Sequence, residues 1–142
     1  PSGSSIIDMV DLLYPDKFFY MLYFQEPGVA EAAFADDHRA ALKKVYFAIS
    51  GDAPSIGFLA DAPRDAAFLD LLPEPPEGPL SFLPDDELDQ IAAVFDRTGM
   101  TGAFNRYRAA RLDAAADADI LGATVDQPSC FVGGELDAVR FM

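Results

Sequence analysis

The sequence predicts a mainly α-helical fold that ends in a single strand. Three observations carry this. Apolar residues recur at helical spacing in separate stretches along the chain. Proline and glycine fall mostly between those stretches. Only one segment, Gln127-Pro128-Ser129-Cys130-Phe131-Val132-Gly133-Gly134, reads as a short buried strand running into glycines.

Ile6, Met9, Val10 and Leu13 follow an i, i+3, i+4, i+7 stripe and mark the first helix. Ser4 or Ser5 can cap it, and Pro15 stops it. Residues 18–24 form an unbroken apolar run, rich in aromatics, whose periodicity does not separate strand from buried helix. Pro27-Gly28 then breaks the chain, and Ala30 to Ala35 makes a short helix. Leu42, Val45, Tyr46 and Ile49 form a second stripe, ended by Gly51. Residues 51–84 hold most of the prolines and read as a long connection, with one short helix near Arg64–Leu72. A connection of that length is usually functional or mobile. Leu88, Ile91, Ala92 and Phe95 mark a third strong helix. Asp85, Asp86 and Glu87 suit its positive N-terminus, and Gly99 its C-terminal cap. A fourth helix is expected from about Gly102 to Ala116.

The 142 residues amount to one domain, and 51% of them are hydrophobic, enough to build a core. No apolar run approaches the roughly 20 residues of a membrane span, so a soluble, cytoplasmic protein is expected. The start, Pro1-Ser2-Gly3-Ser4-Ser5, lacks an initiator Met and a signal-type pattern, and reads as a chain excised from something longer. The net charge of −14 argues against nucleic acid and anionic membranes as partners. The one cysteine, Cys130, suits a reducing compartment and reads as a packed, inert thiol. The carboxylates are plentiful, but no His/Cys set or calcium-loop spacing organises them, so no metal and no cofactor is expected. His38, the sole histidine, reads as a solvated surface residue.

Two distant stretches point to chemistry: Tyr20-Met21-Leu22-Tyr23-Phe24-Gln25-Glu26-Pro27-Gly28 and Asn105-Arg106-Tyr107-Arg108. Each places a tyrosine in an apolar setting. A buried phenol needs a hydrogen-bond partner. Two phenols converging on one cavity would hold and polarise a single oxygen atom. Spacing alone favours plain core packing for both.

The surrounding pattern changes that balance. The run from Tyr20 through Gly28-Val29-Ala30-Glu31 closely resembles the cap (lid) segment of bacterial, soluble-type epoxide hydrolases of the α/β-hydrolase superfamily. Asp85-Asp86-Glu87-Leu88, Phe95, Thr98-Gly99 and Asn105-Arg106-Tyr107-Arg108 resemble later parts of the same cap, with Arg106 where the family carries tryptophan. Pro128 to Asp137 is similar to the strand that follows it. The resemblance implies a helical cap over residues 1–126, and a return strand and acid loop of the main hydrolase domain over 127–142.

It also implies that Tyr20 and Tyr107 hydrogen-bond the epoxide oxygen and help protonate the departing alkoxide. Phe18, Phe19, Met21, Leu22 and Phe24 become candidates for an apolar substrate pocket. Asp137 matches the acid that orients the family's histidine. Asn105 and Arg108 read as supporting contacts, and Gln25, Glu26 and Pro27 as holding the turn. The family's nucleophile motif and its late histidine have no counterpart in these 142 residues, so the chain alone is expected to be inactive. The implied partners are an epoxide and the main hydrolase domain, with self-association through an exposed apolar face. Two other readings stay open. One is the cap of a related dehalogenase, disfavoured because the chain has no tryptophan to bind halide. The other is a non-catalytic helical module that binds an apolar ligand or a partner protein.

Overall fold

In a computed structural model, residues 5–54, 61–117 and 123–137 are described. Seven α-helices run in order: α1 (Ile6–Leu13), α2 (Tyr20–Tyr23), α3 (Val29–Ala35), α4 (His38–Ala48), α5 (Asp85–Thr98), α6 (Thr101–Arg108) and α7 (Ala110–Ala116). A 3-10 turn, Phe68–Leu71, lies in the long connection. Among the described residues there is no sheet, only isolated bridges at Lys17–Pro63 and Leu80–Leu83.

The helix ends follow side-chain chemistry. Ser5 caps α1 in a reciprocal box: its hydroxyl accepts from the Asp8 amide, and Asp8 accepts from the Ser5 amide. Ser4, the alternative cap, lies outside the described residues. The side chain of Asp37 caps α4 by accepting from the Ala40 amide at 2.9 Å. Gly99 closes α5 with φ of 67°, in the left-handed half of the map where a side chain is strained.

α4 packs on α5. Leu42 and Ala41 face Leu88 and Ala92 within one core. Across the outer edge of that pair, His38 bonds Asp96 at 2.8 Å, and Arg39 reaches Asp85 and Asp89. His38 is therefore a partly buried link between helices, not the solvated residue expected. Two cations tie down the proline-rich connection. Lys43 Nζ, buried on α4, donates to the carbonyls of Pro76 and Gly78 at 2.7 and 2.8 Å. Arg64 donates to the Pro15 carbonyl at 2.9 Å and also reaches Asp11.

Four expectations shift. The 18–24 run resolves into extended residues and one helical turn, α2, because only Tyr20–Tyr23 close main-chain bonds before Pro27. In α1 the buried residues are Ile7 and Val10, while Ile6, Met9 and Leu13 are exposed. The expected fourth helix divides at Ala109 into α6 and α7. The tail segment 127–134 is extended and exposed rather than a buried strand, since no neighbouring strand among the described residues completes its ladder. Cys130 is exposed with it, not packed. Residues 55–60 of the connection, Asp119 of the Ala/Asp stretch, and 138–142 of the tail lie outside the described residues.

Leu88 is among the most deeply buried side chains, 1% exposed, at the α4–α5 contact. Leu88→Ala is expected to cost about 2–5 kcal/mol by emptying that site. The urea midpoint of the protein carrying this segment checks it, with the surface change Gln90→Ala as a control that stays within about 0.5 kcal/mol of the parent.

Candidate functional site

The site grows out of an aromatic cluster. Phe24 follows the last turn of α2, and its ring meets five others: Tyr20, Tyr23, Phe68, Phe104 and Tyr107. The Phe104 contact is stacked, with centroids at 4.8 Å. The Phe68 contact is edge-on, at 5.2 Å. Such offset and edge-on geometries match the ring quadrupoles. Phe24 thus joins α2, the 3-10 turn and α6 at one point.

Tyr20 and Tyr107 meet at the edge of this cluster. Their rings lie edge to face, centroids 5.7 Å apart and interplanar angle 90°. Both side chains line one cavity of about 1030 Å³. Burial is the main cause that pushes the Tyr20 phenol above its ordinary 10.0, and the neighbouring Tyr107 adds to the rise. Tyr20 therefore stays a neutral donor across the physiological range. Phe34, Leu42, Val45 and Leu72 form apolar walls. Gly134, Glu135, Leu136 and Asp137 close one side. Leu136 comes so near Gly51 that a Cβ on Gly51 would lie 2.9 Å from its Cδ1, which accounts for the glycine after α4.

What fixes the two tyrosines is polar. Arg108, one residue after Tyr107, grips Glu31 with two parallel bonds, Nη1 to Oε1 at 2.7 Å and Nη2 to Oε2 at 2.9 Å. The same guanidinium donates to the carbonyls of Phe24 at 2.9 Å and Glu26 at 3.2 Å. Gln25 Nε2 donates to the Tyr107 carbonyl at 3.1 Å and to the Met21 carbonyl at 3.0 Å. Glu31 also accepts from the Gly28 amide at 2.9 Å, closing the turn into α3. The Tyr20 stretch and the Tyr107 stretch are therefore stapled together through main-chain atoms. Arg108, above all, holds the Glu31 carboxyl down at a pKa of about 2.

The sequence-derived candidates divide. Tyr20, Phe24, Tyr107 and Asp137 line the same cavity. Phe18, Phe19, Met21 and Leu22 are not among its lining residues. Phe18 is buried against Phe68 in the core, and Phe19 stacks between Tyr14 and Tyr20. Consecutive residues of a single turn point in different directions, so the run cannot present one face. The walls that sequence reasoning missed come from α4, the 3-10 turn and α6. The apolar stripe of α4 was the available signal, since Leu42, Val45 and Ile49 all face the cavity. Among the described residues, no group of three or more His, Cys, Asp or Glu side chains is placed to hold a metal ion.

No protein-family model matches the chain. Relatives are clear nonetheless. Epoxide hydrolase A of Mycobacterium tuberculosis is 37% identical over 130 residues, which is 89% of this chain and 39% of that protein. Epoxide hydrolase 1 of Siraitia grosvenorii is 36% identical over 95% of this chain and 40% of its own length. Among solved structures, an epoxide hydrolase from an endophytic Streptomyces superposes with a TM-score of 0.85 at 35% identity, covering 99% of this chain and 43% of that one. Potato epoxide hydrolase I superposes with a TM-score of 0.77 at 30% identity, over 100% of this chain and 42% of that one. The class is thus a helical segment of α/β-hydrolase enzymes. More narrowly, the chain is homologous to the epoxide hydrolases, and it spans about two fifths of the length of the relatives it matches. Among the described residues no helix is long and apolar enough to cross a membrane.

The Glu31–Arg108 pair sets a pH dependence. A carboxyl depressed from 4.5 to about 2 stabilises the fold fully above 4.5. That contribution drains away as pH falls from 4.5 towards 2. Glu31→Gln is expected to lower stability at neutral pH and to flatten its decline across that window. Chemical denaturation at a series of acidic pH values checks both effects, and an unchanged acid slope would count against the pairing.

Proposed function

We propose that this chain is the helical cap, or lid, of an epoxide hydrolase, with residues 127–142 leading back into the main hydrolase domain. The parent reaction adds water to an epoxide and yields a vicinal diol. A carboxylate nucleophile, supplied from outside this chain, attacks one ring carbon. The carbon–oxygen bond breaks and leaves negative charge on the ring oxygen. Water then hydrolyses the resulting ester. Tyr20 and Tyr107 donate hydrogen bonds to the ring oxygen and supply the proton that neutralises it. A neutral phenol is far more acidic than a departing alkoxide, so the proton moves downhill. Donors aimed at developing charge in a dry site act as an oxyanion hole. Asp137 serves as the acid that orients a histidine of the parent enzyme. His38 plays no part, being paired with Asp96 on the α4–α5 edge.

One observation carries the reading: two phenols, edge to face at 5.7 Å, share a cavity with Asp137 in a homologue of epoxide hydrolases. The exposed apolar residues of α1, namely Ile6, Met9, Leu12 and Leu13, suit contact with the remainder of such an enzyme. The same residues would promote self-association of the isolated chain. No cofactor is required by this chemistry. The lone Cys130, exposed and without a partner cysteine, fits a reducing cytoplasm.

In the complete enzyme carrying this segment, Tyr20→Phe and Tyr107→Phe are each expected to lower kcat for a simple aryl epoxide by about 10²–10³-fold, the usual loss for one such donor. The double variant is expected to form no measurable diol while keeping its circular dichroism and melting temperature near the parent's. Undiminished diol formation by a folded double variant would defeat the assignment.

A further inference from the structure

We infer that Arg106 selects epoxides that carry a carboxylate at the end remote from the ring; this rests on the epoxide hydrolase reading and names its substrate class. Arg106 lines the same cavity as Tyr20 and Tyr107, and stands where the family pattern carries tryptophan. It is the sole cation among the described lining residues, whose walls are otherwise mostly apolar and aromatic.

Two arginines on α6 do opposite things. The Arg108 guanidinium is consumed by Glu31, Asn105 and two carbonyls, and its side chain is 14% exposed. The Arg106 guanidinium is 81% exposed, and its nearest acid, Asp113, sits at 4.0 Å, beyond hydrogen-bonding distance. Its planar fork of donors is available to a ligand. A carboxylate fits that fork with two parallel bonds.

The helix sets where the anion must lie. Consecutive residues on a helix diverge by about 100°. Tyr107 turns into the aromatic cluster, so Arg106 reaches the solvent-facing rim. A ligand bound by both would hold its oxirane at the phenols and its charge at the rim, with an apolar body between. Glu135 and Asp137 line the other side on the tail, and the chain as a whole carries −14. An anionic substrate is thus repelled elsewhere, which leaves the rim cation as the feature that discriminates in its favour. Charges beyond about 8 Å are screened at physiological salt, so the local cation dominates.

The test uses the complete enzyme, with an ω-epoxy medium-chain alkanoate and its methyl ester as substrates. The acid is expected to be the better substrate by kcat/KM. Arg106→Gln is expected to lower the acid-to-ester ratio about fivefold, the scale of a solvent-exposed ion pair, and Arg106→Lys to retain part of it. Added salt should erode the parent's ratio and leave that of Arg106→Gln level. The saturated alkanoate and its methyl ester, titrated by calorimetry, read anion binding without turnover. Diol formation with a ratio unmoved by Arg106→Gln overturns the role of Arg106 and leaves the epoxide reading intact. No diol from either substrate, with the alkanoate still bound through Arg106, overturns the epoxide reading and keeps the anion site.

Discussion

The fold of the site depends on one guanidinium. Arg108 binds a carboxylate from α3 and two main-chain carbonyls from the turn between α2 and α3, while itself belonging to α6. An ion pair at a surface is worth little, because water competes and two long side chains must be immobilised. This one differs in kind. Both partners are largely buried, the bonds are parallel, and the acceptors include backbone atoms that cannot rotate away. Its consequence is positional: the residue beside Arg108 is Tyr107, and the residues it grips lie just after Tyr20. Main-chain bonds from Gln25 to Tyr107 and Met21 close the same junction from the other side.

The polar staple and the aromatic cluster divide the labour. Rings supply area and a dry surround, but stacked and edge-on contacts slide at little cost. Charge-assisted bonds are directional and set the angle between elements. Phe24 belongs to both systems, since its ring is the hub of the cluster and its carbonyl accepts from Arg108. That coincidence places the phenols relative to each other from within the helical segment, without reference to any nucleophile. For ring opening this is the property required. A donor pair must be organised before charge develops, because reorganising it during the reaction would forfeit most of its benefit.

How much was legible in the sequence follows from how local each signal is. The ends of α4 and α5 were readable, because caps and breakers act within a turn: Asp37, Gly51 and Gly99 stand where local chemistry puts them. The division of one expected helix into α6 and α7 was not, since no proline or glycine marks Ala109. In α1 the apolar stripe was visible, but Ile7 rather than Ile6 is buried, because an all-round apolar helix leaves the choice of face to packing. The tail failed for a different reason. Strand propensity at Phe131 and Val132 is realised only with a ladder partner, and both side chains are exposed here. At the site, Tyr20 and Tyr107 stood out through their motifs. The Glu31–Arg108 staple did not, because nothing local pairs an acid with a base so far apart in sequence.

The same reasoning explains why a motif can lose its tryptophan and keep its tyrosine. On α6, Tyr107 is tied to the cluster through Phe24, Tyr20 and the staple at its neighbour, so any change there disturbs several elements at once. Arg106 touches none of these. It projects to the rim, where its nearest charged partner is a residue of α7. A position so weakly coupled to the fold is free to vary with the ligand, whereas its neighbours are held by the geometry they enforce. Variation at 106 and constancy at 107 and 108 are two outcomes of a single helical repeat. One side of α6 faces an aromatic junction that tolerates no movement, and the other faces an opening that sets what may enter.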